Sequence, residues 1–220
     1  MKSLRNFFTP SHVKASRDYS LRAGQDKPQL SEKARLWGFD YWDGSRSTGY
    51  GGYKDDGRWT EFAARVIQHY GITGGDSVLD IGCGKGFFLK ALKTRNPELN
   101  LSGVEISEYA FKNADPDVKN IISLADAGQM QLPKHSVDYI FAVNILHNLQ
   151  LPQLFHALEV IEAAKRKDAY ICVESYRNER EKWNLMRWQL TCECFFTPEE
   201  WQWIFQKTGY SGDYEFIYFE

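Results

Sequence analysis

Cysteine is scarce in this chain: Cys83, Cys172, Cys192 and Cys194 are the only four in 220 residues. So few and so scattered, they cannot staple a secreted disulfide framework. Cys192 and Cys194 form a C-x-C pair, but no second close pair and no histidine lies within reach in sequence, so no metal is expected and buried free thiols are. No apolar run approaches the ~20 residues that cross a bilayer, and the first residues lack the basic, apolar and small-residue succession of a secretion signal. A soluble, cytoplasmic protein is the expectation. Neither sign of charge dominates: 27 Lys and Arg face 29 Asp and Glu, a formal net charge of −2. No global field therefore draws the chain to nucleic acid or to an anionic membrane, and neither partner is expected. Internal repeats and low-complexity tracts are absent as well. What remains is 43% hydrophobic and 25% charged residues, enough to bury the core of one domain with an added element.

Residues 1–36 are polar and mixed in charge, with Lys2, Arg5, Lys14, Arg17, Arg22, Lys27, Lys33 and Arg35 against Asp18, Asp26 and Glu32. They read as a solvated arm with a short helix over Ser31–Trp37. From Asp40 to Trp59 glycine alternates with aromatics, a composition for a shaped loop. Trp59, Phe62, Ala63, Val66, Ile67 and Tyr70 then fall on one helical stripe, stopped by Gly71. Beyond Gly74-Gly75 the pattern becomes strand (Ser77–Ile81), glycine turn and helix (Phe87–Lys93). It continues as strand (Leu99–Ile106), helix (Ser107–Ala114), strands Asn120–Leu124 and Val137–Val143, helix (Pro152–Ala163) and strand (Ala169–Glu174). Such alternation predicts an α/β fold, a doubly wound and mainly parallel sheet. A helix over Glu179–Leu190, a capped helix opening at Thr197-Pro198-Glu199-Glu200, and an aromatic strand Tyr214–Phe219 close the chain.

The chemistry concentrates at Val78-Leu79-Asp80-Ile81-Gly82-Cys83-Gly84-Lys85-Gly86. A strand ending in an acid and followed by three glycines lets a ligand lie against the carboxyl edge of the sheet. A dinucleotide fingerprint needs its third glycine at position 87, which is Phe. The G-x-x-x-x-G-K-[ST] pattern of a phosphate loop is missing too. Asp80 suits the cationic end of a zwitterion. Glu105, at the next strand end, can accept both hydroxyls of a ribose.

Together with Ala125-Asp126-Ala127 and Leu132-Pro133, these marks resemble the class I S-adenosylmethionine-dependent methyltransferases over about Ser77 to Glu174. The resemblance implies a seven-stranded-type, Rossmann-like methyltransferase sheet and S-adenosyl-L-methionine as cofactor. By the same likeness Asp80 helps hold the methionine moiety, Glu105 the ribose and Asp126 the adenine amine, with Ile106 and Ala127 flanking the base and Gly82, Cys83, Gly84, Gly86 and Asn144 completing the cofactor site. The segment G-Y-G-G-Y-K-D-D-G-R-W and the stretch from Glu174 to Glu220 resemble a narrower, uncharacterised bacterial subgroup, which names no substrate. Residues 1–58 are then expected to be an N-terminal arm and lid, and residues 59–220 the methyltransferase domain, with substrate-side helices over about 178–208.

In that family the loop after the fourth strand faces the transferable methyl, which makes His147 the candidate general base, or else a residue that only positions the loop or the substrate. Glu174 and Tyr176, after the fifth strand, are the other catalytic candidates, and Arg177 is a candidate for an acceptor's carboxylate or phosphate; an ion pair within the cap is its alternative. Tyr50, Tyr53, Arg58 and Trp59 are placed in a lid that excludes water, or else pack the arm onto the sheet. Trp183, Trp188, Trp201 and Trp203 either line a substrate pocket or belong to the core. The implied activity is methyl transfer to an oxygen or nitrogen of a small molecule, a sugar or a secondary-metabolite intermediate. A macromolecular acceptor, a dehydrogenase on the same fold and a non-catalytic binding protein stay open as alternatives.

Overall fold

The computed structural model describes residues 4–12 and 17–220; Lys2 and Lys14 of the basic arm lie outside the described residues. Short helices α1 (Thr9–His12), α2 (Tyr19–Ala23), α3 (Lys27–Ala34) and α4 (Phe39–Trp42) precede the long helix α5 (Arg58–Tyr70). Then come β1 (Ser77–Ile81), α6 (Phe87–Arg95), β2 (Asn100–Glu105), α7 (Glu108–Lys112), β3 (Ile122–Leu124) and β4 (Val137–Val143). The remainder is α8 (Leu151–Ala164), β5 (Lys165–Glu174), α9 (Glu179–Trp188), α10 (Pro198–Lys207) and β6 (Asp213–Ile217).

The strands form one sheet in the order β3-β2-β1-β4-β5-β6, and every neighbouring pair is parallel. Successive residues of β4 and β5 serve opposite faces, as a two-residue period requires. Ile140, Ala142, Ile171 and Val173 join Leu154, Leu158, Ile161, Trp201 and Phe205 under α8 and α10. Phe141, Tyr170 and Cys172 join Phe62, Val66, Phe88 and Leu92 under α5 and α6. The sheet is thus covered on both faces, which explains why the strands read as near-continuous apolar runs. Strand order reverses beside β1, so the carboxyl ends of β1 and β4 frame the crevice where open α/β sheets take ligands.

The doubly wound parallel sheet is as expected, but it has six strands among the described residues where seven were expected. The outer edge of β6 is met instead by the N-terminal segment: Leu4 bridges Tyr214, and the Arg5 amide donates to the Tyr214 carbonyl at 2.8 Å. Nor is that segment the solvated arm that its charge suggests. The buried Glu215 carboxylate accepts the amides of Phe7 (2.5 Å), Phe8 (3.1 Å) and Thr9 (2.5 Å) at the start of α1. An anion there satisfies donors that a helix start leaves open. Phe8 then enters the core against Phe62 and Trp59. The short helix in the arm spans Lys27–Ala34 rather than Ser31–Trp37, because Asp26 caps it and Pro28 fits its first turn. Thr197 and Glu200 form the reciprocal cap expected of α10, at 3.3 and 2.7 Å. Helix α9 stops at Trp188, two residues early, and Gln189 is extended.

Gly86 has φ +79°, and a Cβ there would lie 2.7 Å from Val118 Cγ2 and 3.0 Å from Ile122 Cδ1. Its role is to let α6 start against the loop and strand next to β2. Gly86→Ala combines a left-handed backbone with an overfilled contact, so chemical denaturation should read a loss of about 1–3 kcal/mol.

Candidate active site

The carboxyl ends of β1, β2, β4 and β5, together with the N-terminal segment, enclose a cavity of about 520 Å³. This is ample for a small organic ligand, whose sites run from about 300 to 1,000 Å³. Asp80 reaches it from the end of β1, Glu105 and Ile106 from the end of β2, Asp126 and Ala127 from beyond β3, and Asn144 from the end of β4. Gly82, Cys83 and Gly84 line it from the turn, whereas Gly86 does not and serves the packing described above.

Asp80 is 4% exposed, and the groups acting on it are burial and the neighbouring Glu105, which both push its carboxyl well above the ordinary aspartate value. No cation of the described residues offsets that charge. A carboxylate kept in such a place is expensive unless something positive joins it. Glu105 differs: one oxygen accepts the Gly84 amide at 2.7 Å and the other the Ser107 amide at 2.9 Å. Burial still raises its pKa, opposed by those amides. Each oxygen keeps a second lone pair for a ligand hydroxyl. Asn144 sits at φ +61°, and its Oδ1 is buried with no partner. Asp126 holds the next turn through the Gly128 amide at 2.8 Å. The strand ends thus present two buried acids and an unpartnered amide oxygen to one cavity, a donor-seeking set that fits a ligand with an ammonium, ribose hydroxyls and an exocyclic amine.

A roof made by residues 37–59 covers this crevice. The Trp42 ring lies on Gly84, where a Cβ would come within 2.9 Å of it, and its Nε1 donates to Ser107 Oγ at 2.9 Å. Tyr50 and Tyr53 pack against Trp42, and Tyr53 stacks on Phe87. Lys85, inside the glycine turn, donates to both oxygens of Asp43 at 2.7 Å and to the Tyr53 carbonyl at 3.1 Å. Tyr109 adds a bond to Asp43 at 2.9 Å. The turn therefore carries its own clamp for the roof. Sequence reasoning passed over both Lys85 and Trp42; a lysine in a turn facing an aspartate 42 residues away has no local signal. Tyr50, Tyr53, Arg58 and Trp59 all line the cavity, with the Trp59 indole donating to the Tyr53 hydroxyl at 3.1 Å and Arg58 held by Asp56.

His147 and Glu174 meet on the far wall. His147 follows β4 in a short 3-10 turn, Leu146–Asn148, and is 2% exposed. Its Nδ1 accepts the Glu174 amide at 3.3 Å, so a neutral ring carries its proton on Nε2. That nitrogen lies 3.4 Å from Glu174 Oε2. Burial lowers the His147 pKa to about 3. Burial also raises Glu174 to about 8, partly countered by Arg17 and by the amide of Gln189, which donates to Oε1. Oε2 has no hydrogen-bond partner.

Two candidates fall elsewhere. Tyr176 is 9% exposed but packs in the core with Leu185, beneath Lys182, and does not line the cavity. Arg177 pairs with Glu181 and Glu220 at 2.5 Å each and stacks on Tyr218, outside the cavity, which matches the ion-pair alternative. Of the four tryptophans considered, Trp188 lines the cavity, Trp201 is fully buried in the core, and Trp183 and Trp203 are more than half exposed. All four cysteines are buried and unpaired.

Fold and site together define an α/β protein with a ligand crevice at the switch point of its sheet. Residues 53–214 match the family model described as a methyltransferase domain. The chain belongs to this methyltransferase family, and its fold is that of the class I S-adenosylmethionine-dependent methyltransferases. It is 28% identical over 135 residues to the 27-O-demethylrifamycin SV methyltransferase of Amycolatopsis mediterranei, covering 56% of this chain and 46% of that protein. It is 32% identical over 82 residues to the uncharacterised methyltransferase YdaC of Bacillus subtilis, covering 36% and 45%. The chain thus spans less than half the length of these curated relatives. A solved S-adenosylmethionine-dependent methyltransferase from Archaeoglobus fulgidus superposes with a TM-score of 0.52 at 26% identity, over 67% of this chain and 66% of that one. No helix among the described residues is long and apolar enough to cross a membrane.

Proposed function

We propose that the chain transfers a methyl group from S-adenosyl-L-methionine to an oxygen or nitrogen of a small molecule. The observation that carries this reading is Asp80: a buried carboxylate with no cation beside it, sharing a cavity with Glu105 and Asp126. Asp80 would hold the ammonium of the cofactor, Glu105 the ribose hydroxyls and Asp126 the adenine amine, with Ile106 and Ala127 against the base. When bound, the cofactor supplies an electrophilic methyl on a sulfonium. The curated relative named for an O-methylation supports a small acceptor, as does the roofed cavity.

Glu174, rather than His147, takes the acceptor's proton in this reading. Nδ1 of His147 accepts an amide, and in that tautomer Nε2 already carries its proton, so neither nitrogen is free to take another. A carboxyl near pKa 8 with one free oxygen is matched to accept a proton around neutral pH. His147 and Gln189 position it. Asp80, Glu105 and Asp126 would hold the cofactor so that an acceptor's lone pair meets the methyl it would supply, with S-adenosylhomocysteine as the leaving group, and Glu174 would take the acceptor's proton. Residues up to about 58 act as the lid that keeps water from the sulfonium.

Titration calorimetry with S-adenosylmethionine and S-adenosylhomocysteine tests the cofactor assignment. One-to-one binding of both with micromolar or tighter dissociation constants is expected; no heat and no thermal shift with either would remove it.

A further inference from the structure

Beyond the cofactor acids, the cavity has a wall of opposite sign. Arg17, Arg22 and Arg46 bring their guanidinium carbons to 5.8, 5.1 and 5.2 Å from the centroid of the Trp188 ring, and all three line the cavity. They come from separate parts of the N-terminal segment, and the cationic faces converge on one indole. Arg22 is 6% exposed; one of its terminal nitrogens donates to the Ser47 carbonyl and to Gln25 Oε1, while its Nε is buried with no partner. Arg46 donates to the carbonyls of Gly49 (2.9 Å) and Tyr50 (3.4 Å). These bonds orient the guanidiniums without neutralising them. Burial lowers the pKa of both; Arg46 adds to this at Arg22 and Arg58 adds to it at Arg46 as like charges, opposed at Arg46 by Tyr50 and Tyr41, with no carboxylate among the groups acting on either. Arg17 differs in lying close enough to Glu174 to lower its pKa, which links the wall to the proposed base.

We infer that Arg22 and Arg46, with Arg17 and the Trp188 face, form a receptor for an anionic group on the acceptor, a carboxylate or a phosphate. Guanidinium groups present forked donors that match both anions. Arg22 is buried, Arg17 half-buried and Arg46 exposed; a buried guanidinium beside like charges is costly alone and is relieved when an anion joins it. The acceptor would enter with its anion on this wall and its hydroxyl or amine toward Glu174. This specifies the substrate class of the methyl transfer proposed above and rests on that reading.

Protein saturated with S-adenosylhomocysteine, in 0.2 M NaCl, would be titrated with benzoate, inorganic phosphate and neutral benzamide while the thermal midpoint is read. A saturable rise with benzoate or phosphate and none with benzamide is expected; which anion acts tells carboxylate from phosphate. Arg46→Gln should weaken the response tenfold or more and leave S-adenosylhomocysteine affinity within twofold. Arg22→Gln should do the same, and Arg46→Gln serves alone if the buried variant does not fold. The inference is overturned if neither anion acts saturably, if benzamide acts equally, or if Arg46→Gln responds as wild type. Should S-adenosylhomocysteine itself fail to bind, the cofactor reading falls, and the same anion titrations on the free protein still decide the receptor.

Discussion

Asp80→Asn should weaken S-adenosylmethionine binding by about 30-fold or more while making the ligand-free protein more stable. The two effects have one origin. Losing one partner of a desolvated charge pair costs about 2–5 kcal/mol, and each 1.4 kcal/mol is tenfold in affinity. In the free protein the carboxylate has no cation, only burial and Glu105 against it. Its folded pKa is therefore raised above the ordinary 3.8. By linkage, the stability contributed by the protonated form is fully present below the unfolded value and is lost as pH rises through the folded one. At neutral pH the wild type bears that loss and the asparagine variant does not, so thermal midpoints of the free proteins should cross in the variant's favour above the acid range. Bound cofactor should erase the difference or reverse it. Equal affinities by calorimetry, or a free variant no more stable at pH 7.5 than at pH 4 relative to wild type, would mean that Asp80 is a turn aspartate. Glu105 is a poorer probe, since its removal also orphans the amides of Gly84 and Ser107.

The contrast between these acids bears on what a sequence exposes. Asp80 and Glu105 were legible because each sits at a strand end followed by a turn and a helix, and parallel strands bring such ends to one edge, whereas Asp126, beyond β3 with no helix after it, was picked out by the family resemblance alone. Tyr176 lies elsewhere because β5 ends at Glu174: two residues on, the chain has left the sheet and the ring packs with Leu185, so nearness to the strand's end did not mean sharing its cavity. The sixth-strand edge could not be read either, because Leu4 meets Tyr214 across 210 positions of sequence, where no periodicity connects them. The arginine wall is the strongest case. Arg17 and Arg22 look like ordinary solvated charges in a polar segment and Arg46 like one in a glycine-rich loop, and only the packing of α2 on α9, with the loop after α4 beside it, places them around Trp188. The proposed cofactor acids thus lie in local patterns of the chain, and the proposed acceptor wall is assembled from distant segments.

Glu174→Gln should reduce methyl transfer by about 10²–10⁴-fold if its carboxylate is the base. The assay would supply a deproteinised metabolite extract as acceptor and measure S-adenosylhomocysteine formed. Glu174 has a pKa raised to about 8, so the competent carboxylate grows as pH increases through that value, and the wild-type rate should climb from pH 6.5 to 9 before levelling. The glutamine variant should lose both the rate and that slope. His147→Gln separates positioning from proton transfer. The ring of His147 has its pKa lowered to about 3 and stays neutral over this range, so it contributes no inflection of its own. Removing it should lower the maximal rate about tenfold or more and shift the inflection, because the ring that accepts the Glu174 amide on Nδ1 and stands 3.4 Å from Glu174 Oε2 through Nε2 is gone, yet a rise with pH should persist. A wild-type profile flat across pH 8, or an inflection that vanishes with His147→Gln and survives Glu174→Gln, would return the role of base to the histidine. The expected order follows from the hydrogen bonds: a nitrogen that already accepts the Glu174 amide cannot also take a proton without breaking that bond inside a buried wall, whereas the carboxylate has an oxygen with nothing yet to accept.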